Sequence, residues 1–257
     1  MDAHKKYIAL RTILDKEVAR ILRIWTQTLL PSAITMTLYF VIFGTFIGSK
    51  IEDMGGHSYI DFIVPGLIMM SVITNSFSNV VSSFFGAKFQ RSIEELLVSP
   101  TPNSTIIWGY VLGGVFRGIL VGVIVLLISL FFTKLKLYSL AVVLSFIVLA
   151  AIVFSLAGFT NAVFAKKFDD VAIVPTFILT PLTYLGGVFY SISLLPPLWK
   201  TISLFNPILY MVNGFRYGFL GISDVNVIIG FVMLVFFAVA LFYCNLYLLK
   251  KGIGMKN

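Results

Sequence analysis

The feature that most constrains this chain is a series of long stretches with no charged residue. Ile24–Ser49 carries none, and neither do Phe62–Ala87, Leu137–Ala165, Val171–Trp199 or Val225–Leu249. One more stretch, 105–132, is interrupted only by Arg117. About 20 apolar residues in an α-helix cross the hydrocarbon core of a bilayer. Helices satisfy their own backbone hydrogen bonds where no water can. The pattern predicts an all-α polytopic membrane protein with six transmembrane helices. The first lies near 29–48, and the fifth ends before its charge-free run does.

Composition supports lipid as the solvent. The chain has 257 residues, of which 59% are hydrophobic and 12% charged, with a mean hydropathy of +0.99. A soluble domain is nearer half apolar and about a quarter charged. A soluble fold of this size has no core able to hide the excess.

The net charge of +8 matters through its placement. With the N-terminus inside, thirteen Lys and Arg residues fall in inner segments, Lys256 among them. Five fall outside: Lys50, Lys134, Lys136, Lys200 and Arg216. The inverted arrangement reverses that ratio, so both termini are expected in the cytoplasm. The basic excess is thereby explained without a nucleic-acid partner. The first 23 residues are charged throughout and do not read as a signal peptide.

Three segments are not spans. Residues 7–25 place Leu10, Leu14, Val18, Ile21, Leu22 and Trp25 at helical spacing, with Lys16, Arg20 and Arg23 on another face. This is the pattern of an amphipathic helix lying on the inner membrane surface. Residues 88–103 form a charged inner segment in which Phe89, Ile93, Leu96 and Leu97 follow helical spacing until Pro100 and Pro102. Residues 191–224 are too apolar for an ordinary loop and are broken by Pro196, Pro197 and Pro207. Short re-entrant helices dipping into the outer leaflet fit them.

Several chemistries are missing. There is no phosphate-loop motif, so ATP and its magnesium have no usual cradle in this chain. There is no zincin or nucleophile-elbow motif. The two histidines, His4 and His57, fall in different compartments, and Cys244 is the lone cysteine, so no metal site is expected. All eleven acidic residues lie outside the span interiors, with Asp61 at the mouth of the second. Ion-coupled carriers usually need a carboxylate or a similar group within the membrane. Uphill transport by this chain would therefore draw its energy from another polypeptide. An ATPase-independent channel or secondary carrier is the alternative.

Two spans carry polar stripes. Ser71, Asn75, Ser78, Asn79 and Ser82 fall on one face of the second. Thr176, Thr180, Thr183 and Tyr184 do so on the fifth, which Pro175, Pro181 and Gly186-Gly187 make kinked and adjustable. These faces either line a substrate path or hydrogen-bond between helices. In the third span, Gly109, Gly113, Gly114, Gly118 and Gly122 permit close helix contact. Arg117 sits among them. A charge there costs about 3 kcal/mol or more unless it snorkels, meets a partner, or faces a wet path or an anionic lipid headgroup.

At residues 179–216 the stretch LTPLTYLGGVFYSISLLPPLWKTISLFNPILYMVNGFR resembles the signature of type-2 ABC transporter permeases. Leu179, Leu182, Leu185, Gly186 and Val188 fit its first part, Leu195-Pro196 the middle, and Pro207, Ile208, Tyr210 and Arg216 the end. The arrangement of interfacial helix, six spans, charged inner loop and broken outer segment also resembles this family, so the likeness covers nearly the whole chain as a single transmembrane domain. The resemblance is nearest to small bacterial inner-membrane exporter permeases of the multidrug type. It implies a homodimer joined to two copies of a separate ABC ATPase, which binds ATP and magnesium, and outward movement of a drug, lipid or glycan. It makes 88–103 the coupling segment, with Arg91, Glu94, Glu95, Leu96 and Leu97 meeting the ATPase. It gives Pro207, Tyr210 and Arg216 a structural role at an outer gate.

Overall fold

Helix boundaries follow from local chemistry. Ser58 precedes the second long helix, and its hydroxyl accepts from the Asp61 amide. Asn206 and Asn226 do the same for two later helices, each accepting amide hydrogens two or three residues on. Two helices end on Gly221 and Gly252, at φ of 73° and 66°, the left-handed geometry glycine adopts without strain. The computed structural model describes residues 2–51 and 53–254, apart from the side chain of Ser49. Lys256, one of the inner charges, and Glu52, one of the eleven acids, lie outside the described residues.

The helices run in this order: α1 (Ala3–Arg23), α2 (Trp25–Thr28), α3 (Leu30–Tyr39), α4 (Tyr59–Phe89), α5 (Ser92–Val98), α6 (Asn103–Ser129), α7 (Leu140–Phe164), α8 (Phe168–Val174), α9 (Thr180–Tyr184), α10 (Pro197–Leu204), α11 (Pro207–Leu220) and α12 (Val227–Lys251). Phe40–Ile47 continues α3 as a π-helix, and Pro175–Leu179 joins α8 to α9 in the same way. Among the described residues there is no β-strand, only an isolated bridge between Met54 and His57.

Among the described residues, five helical stretches are long and apolar enough to cross a membrane: Trp25–Ile47, α4, α6, α7 and α12. The fifth expected span differs. Within Val171–Trp199 the continuous helical part ends at Tyr184. At 1.5 Å per residue that rises about 21 Å, against roughly 30 Å of hydrocarbon. Pro175 and Pro181 each remove a backbone donor, and the π-helical turn accommodates the loss. The chain then breaks at Gly186-Gly187, well before Trp199. Residues 191–224 hold two short helices, α10 and α11, with Pro196 and Pro197 at the start of the first and Pro207 at the start of the second.

α4 is the hub. Of its most apolar window, 78% is buried, against 11% for Trp25–Ile47 and for α12. It packs on α6, α7 and α11. Small residues set the distances. A β-carbon on Gly158 of α7 would come within 2.6 Å of the Phe77 carbonyl oxygen of α4. Gly114, Gly118 and Gly122 of α6 face Val80, Ser76 and Val72 of α4. Polar side chains add direct ties. Asn245 of α12 donates to the Leu156 carbonyl of α7 at 2.9 Å and accepts from Thr160 at 2.8 Å. At the far end of α4, the Lys88 ammonium donates to the carbonyls of Val163 and Ala165, each at 2.7 Å, closing the C-terminus of α7. The outer faces leave Phe131, Phe177 and Ile228 largely exposed, which lipid solvates and water would not.

Candidate functional site

At the N-terminus α1 ends at Arg23 and Trp25 opens α2, and the face of α1 that is engaged is not the expected one. Its buried residues are Ile13, Glu17 and Ile21, while Leu22 and Trp25 are about half exposed. The reason lies on α6. A β-carbon on Gly109 would strike Ile13, and one on Gly113 would strike Glu17. The first glycine pair thus receives α1, and the second set receives α4. Ile13, Glu17 and Ile21 recur every four residues, so one stripe of α1 fits the groove.

This docking corrects one inference from the sequence. Among the described residues no acid sits in the interior of a span, Asp61 lying in the first turn of α4, yet Glu17 of α1 is fully buried against the spans. Its carboxylate accepts from Ser83 of α4 at 2.5 Å and from Arg20 at 3.0 Å. The lack of a buried carboxylate therefore no longer argues against ion coupling. What opposes it instead is that Glu17 is already neutralised by a paired guanidinium. Arg20, expected on the solvated face, reaches Asn79 Oδ1 at 2.8 Å.

The polar stripe of the second span divides in two. Ser71, Asn75 and Asn79 point into the bundle. Ser71 donates to the Leu67 carbonyl, and the Asn75 amide donates to Ser71 O and to Ser32 of α3. Arg117 neither snorkels nor faces open space. It donates to Asn75 Oδ1 at 3.0 Å and to the Thr28 carbonyl at 3.3 Å. Ser82 is exposed and Ser78 half-buried, and with exposed Thr74, which the stripe in the sequence omitted, they mark the open line of α4. Each lies four residues from the next, on the side away from α6 and α7.

The stripe of the fifth span divides similarly. Thr176, Thr180 and Tyr184 are exposed. Thr183 is buried and donates to the Leu179 carbonyl, so it does not share their face. The π-helical turn shifts the phase that simple α periodicity implies. At the end of this line an aromatic cluster gathers. Phe189 lies 6.0 Å from Tyr184, 5.9 Å from Tyr39 and 5.0 Å from Phe43, measured between ring centres. Nothing in the local sequence joins these four residues, which come from two distant segments.

Arg216 is fully buried in α11. It donates to the Phe62 carbonyl at 3.1 Å and the Gly187 carbonyl at 2.6 Å, and its guanidinium stacks 3.8 Å from the centre of the Phe62 ring. One side chain therefore clamps α11 to α4 and to the break after α9. Asn213, missed in the sequence, accepts from the Asp224 amide, and Asp224 accepts from Ser191 and the Ile192 amide. These residues wall a cavity of about 380 Å³. Pro207 opens α11 behind Asn206, whose amide also donates to the Leu182 carbonyl, and Tyr210 donates to the Leu204 carbonyl. The Asn-Pro pair at a helix start was a readable signal for this joint.

α5 follows a sharp reversal at Arg91, which adopts φ of 60°. Ile93 is buried, Leu96 and Leu97 are half-buried, and Arg91, Glu94 and Glu95 are exposed. Phe89 departs from the expected apolar face. It is exposed at the end of α4, with Phe168 at 4.8 Å. Beside it, at the start of α8, Asp170 accepts the amides of Lys166 and Lys167 at 2.8 and 3.0 Å. Those amides hold its carboxyl below the usual carboxylate range.

Comparison with known proteins bears on what these parts are for. A family model described as "ABC-2 type transporter" matches residues 8–220. The chain is 59% identical over 254 residues to the protein named "Inner membrane transport permease YadH" of Escherichia coli (strain K12), covering 99% of each. It is 22% identical over 215 residues to "Nodulation protein J" of Rhizobium leguminosarum bv. viciae, covering 83% of each.

Proposed function

This chain belongs to the ABC-2 type transporter family, and on that premise we propose that it is the inner-membrane permease subunit of an ATP-driven exporter. It works as a homodimer with two copies of a separate ATPase and moves a drug, lipid or glycan out of the cytoplasm. Both termini lie in the cytoplasm, α1 rests at the inner interface, and Val171–Tyr184 is the fifth crossing, reaching the outer leaflet through the broken segment that follows. The polar lines Thr74, Ser78, Ser82 and Thr176, Thr180, Tyr184 face the dimer axis and line the path. The aromatic cluster around Phe189 closes its outer end, and Arg216 anchors that gate.

The observation that carries this reading is α5. It holds itself to the bundle through Ile93 and presents Arg91, Glu94 and Glu95 outward, from a tight reversal directly connected to the hub helix. Two acidic groups beside one basic group form a docking surface for a cytosolic partner with basic side chains. Closure of the ATPases on ATP would move α5 and, through it, α4. The test is co-reconstitution of the chain with its ATPase in proteoliposomes. Glu94→Lys/Glu95→Lys is expected to abolish substrate-stimulated hydrolysis and transport while leaving the permease folded. Full transport by the variant, or transport by the wild-type chain with no ATPase present, refutes the reading.

A further inference from the structure

The cluster between α1, α4 and α6 holds more positive charge and more donors than it can satisfy. Its ionised groups are Glu17, Arg20 and Arg117, two cations to one anion. Glu17 is consumed by Arg20 and Ser83. The Oδ1 atoms of Asn79 and Asn75 are taken by Arg20 and Arg117 respectively. Three donors remain buried without a partner: Arg20 Nε, Arg117 Nε and Asn79 Nδ2. Asn79 has no exposed surface at all. Asn75 and Asn79 are one turn apart on α4 and hold the two arginines at neighbouring levels.

Buried donors are normally paired, and a buried surplus charge is costly until it meets an opposite one. Both deficits here have the same remedy, an acceptor-rich anion. Guanidinium groups suit oxyanions in particular, since their forked donors match the spacing of phosphate oxygens. Access exists as well, because Arg20 keeps 26% of its side chain exposed. Asn79 lies ten residues from the end of α4, about 15 Å along the helix axis. α4 spans about 46 Å in all, so its ends overhang the hydrocarbon and bring this level toward the inner headgroups.

We propose that Arg20, Asn79 and Arg117 form a binding site for a phosphate-bearing anion, seated where the N-terminal helix meets the second and third spans. Its occupant completes the charge balance of the groove and fixes α1 against α4. The site needs only the membrane placement given above and does not depend on the ATPase partnership.

The test uses the full chain in phosphatidylcholine nanodiscs, with or without phosphatidylglycerol, and separately with added inorganic phosphate. Native mass spectrometry counts retained lipid, and thermal unfolding reads stabilisation. Retention of phosphatidylglycerol over phosphatidylcholine supports the site with a lipid headgroup as occupant. Stabilisation by inorganic phosphate in pure phosphatidylcholine supports it with a free anion. Arg117→Gln is expected to weaken either effect roughly tenfold, the loss of one or two charge-assisted hydrogen bonds. Arg117→Lys keeps the charge and is expected to retain most of it. If neither phosphatidylglycerol nor phosphate is preferred by the wild-type chain, the proposal fails. It fails equally if Arg117→Gln binds as the wild type does.

Discussion

Removing Arg20 should damage this protein more than removing its partner Glu17, and the double change should be milder than the two losses added. Arg20→Gln leaves the Glu17 carboxylate fully buried with Ser83 as its remaining donor. Breaking a buried pair from that side costs about 3–5 kcal/mol. Glu17→Gln keeps an acceptor for Ser83 and leaves Arg20, which at 26% exposure can turn partly to water. That change should cost about 1–3 kcal/mol. The double variant strands no charge of the pair, so a favourable coupling of about 1–3 kcal/mol should appear. At about 2–4 °C per kcal/mol, Arg20→Gln lowers Tm by about 6–20 °C. The assay is thermal unfolding followed by tryptophan fluorescence in pure phosphatidylcholine nanodiscs, where no anionic lipid contributes. Strict additivity of the two single losses would show that the pair is not coupled and that α1 is held by Ile13 and Ile21 alone. An equal loss in both single variants would refute the assignment of Glu17 as the more deeply buried partner.

Three further outcomes follow from the packing. Gly158→Ala places a methyl group against the Phe77 backbone carbonyl, which cannot rotate away, and should destabilise by about 1–3 kcal/mol in the same unfolding assay. Lys88→Met removes the donors that close the α7 terminus. Hydrogen exchange at residues 162–165 should rise, with a stability loss of about 1–3 kcal/mol. Asp170 has a depressed pKa, so its cap is intact above the ordinary aspartate range and is lost as pH falls below about 4. Amide exchange at Lys166 and Lys167, corrected for intrinsic rates, should show that acid-side loss in the wild type and none in Asp170→Asn, where protection is already low at neutral pH.

The helical framework was legible because charge-free length is a direct report of what lipid tolerates. Phe62–Ala87, 105–132 and Val225–Leu249 each match a helix to within a few residues. The break between the fifth run and α12 was legible too, since prolines at 196, 197 and 207 remove donors wherever they stand. The polar stripes were only half legible. Side-chain period places Ser78 and Ser82 on the same broad face as Asn75 and Asn79, but neighbouring helices cover one edge of that face and leave the other open. In the fifth span, Thr183 fell out of its stripe because the π-helical turn at Pro175–Leu179 changes the pitch on which the stripe was drawn.

By itself the sequence determined that this chain lives in lipid, how many apolar stretches it has to place there, and where the backbone has to break. Those are properties of single segments, set by transfer free energy and missing donors. It did not determine which face of α1 is buried. Glu17 stands between Lys16 and Arg20 and looks solvated until Gly113 lets it approach α6. Arg117 likewise found Asn75 and Thr28 rather than the membrane surface. Those outcomes depend on which small residues on one helix let another come close, and that is a relation between segments that only the packed tertiary structure decides.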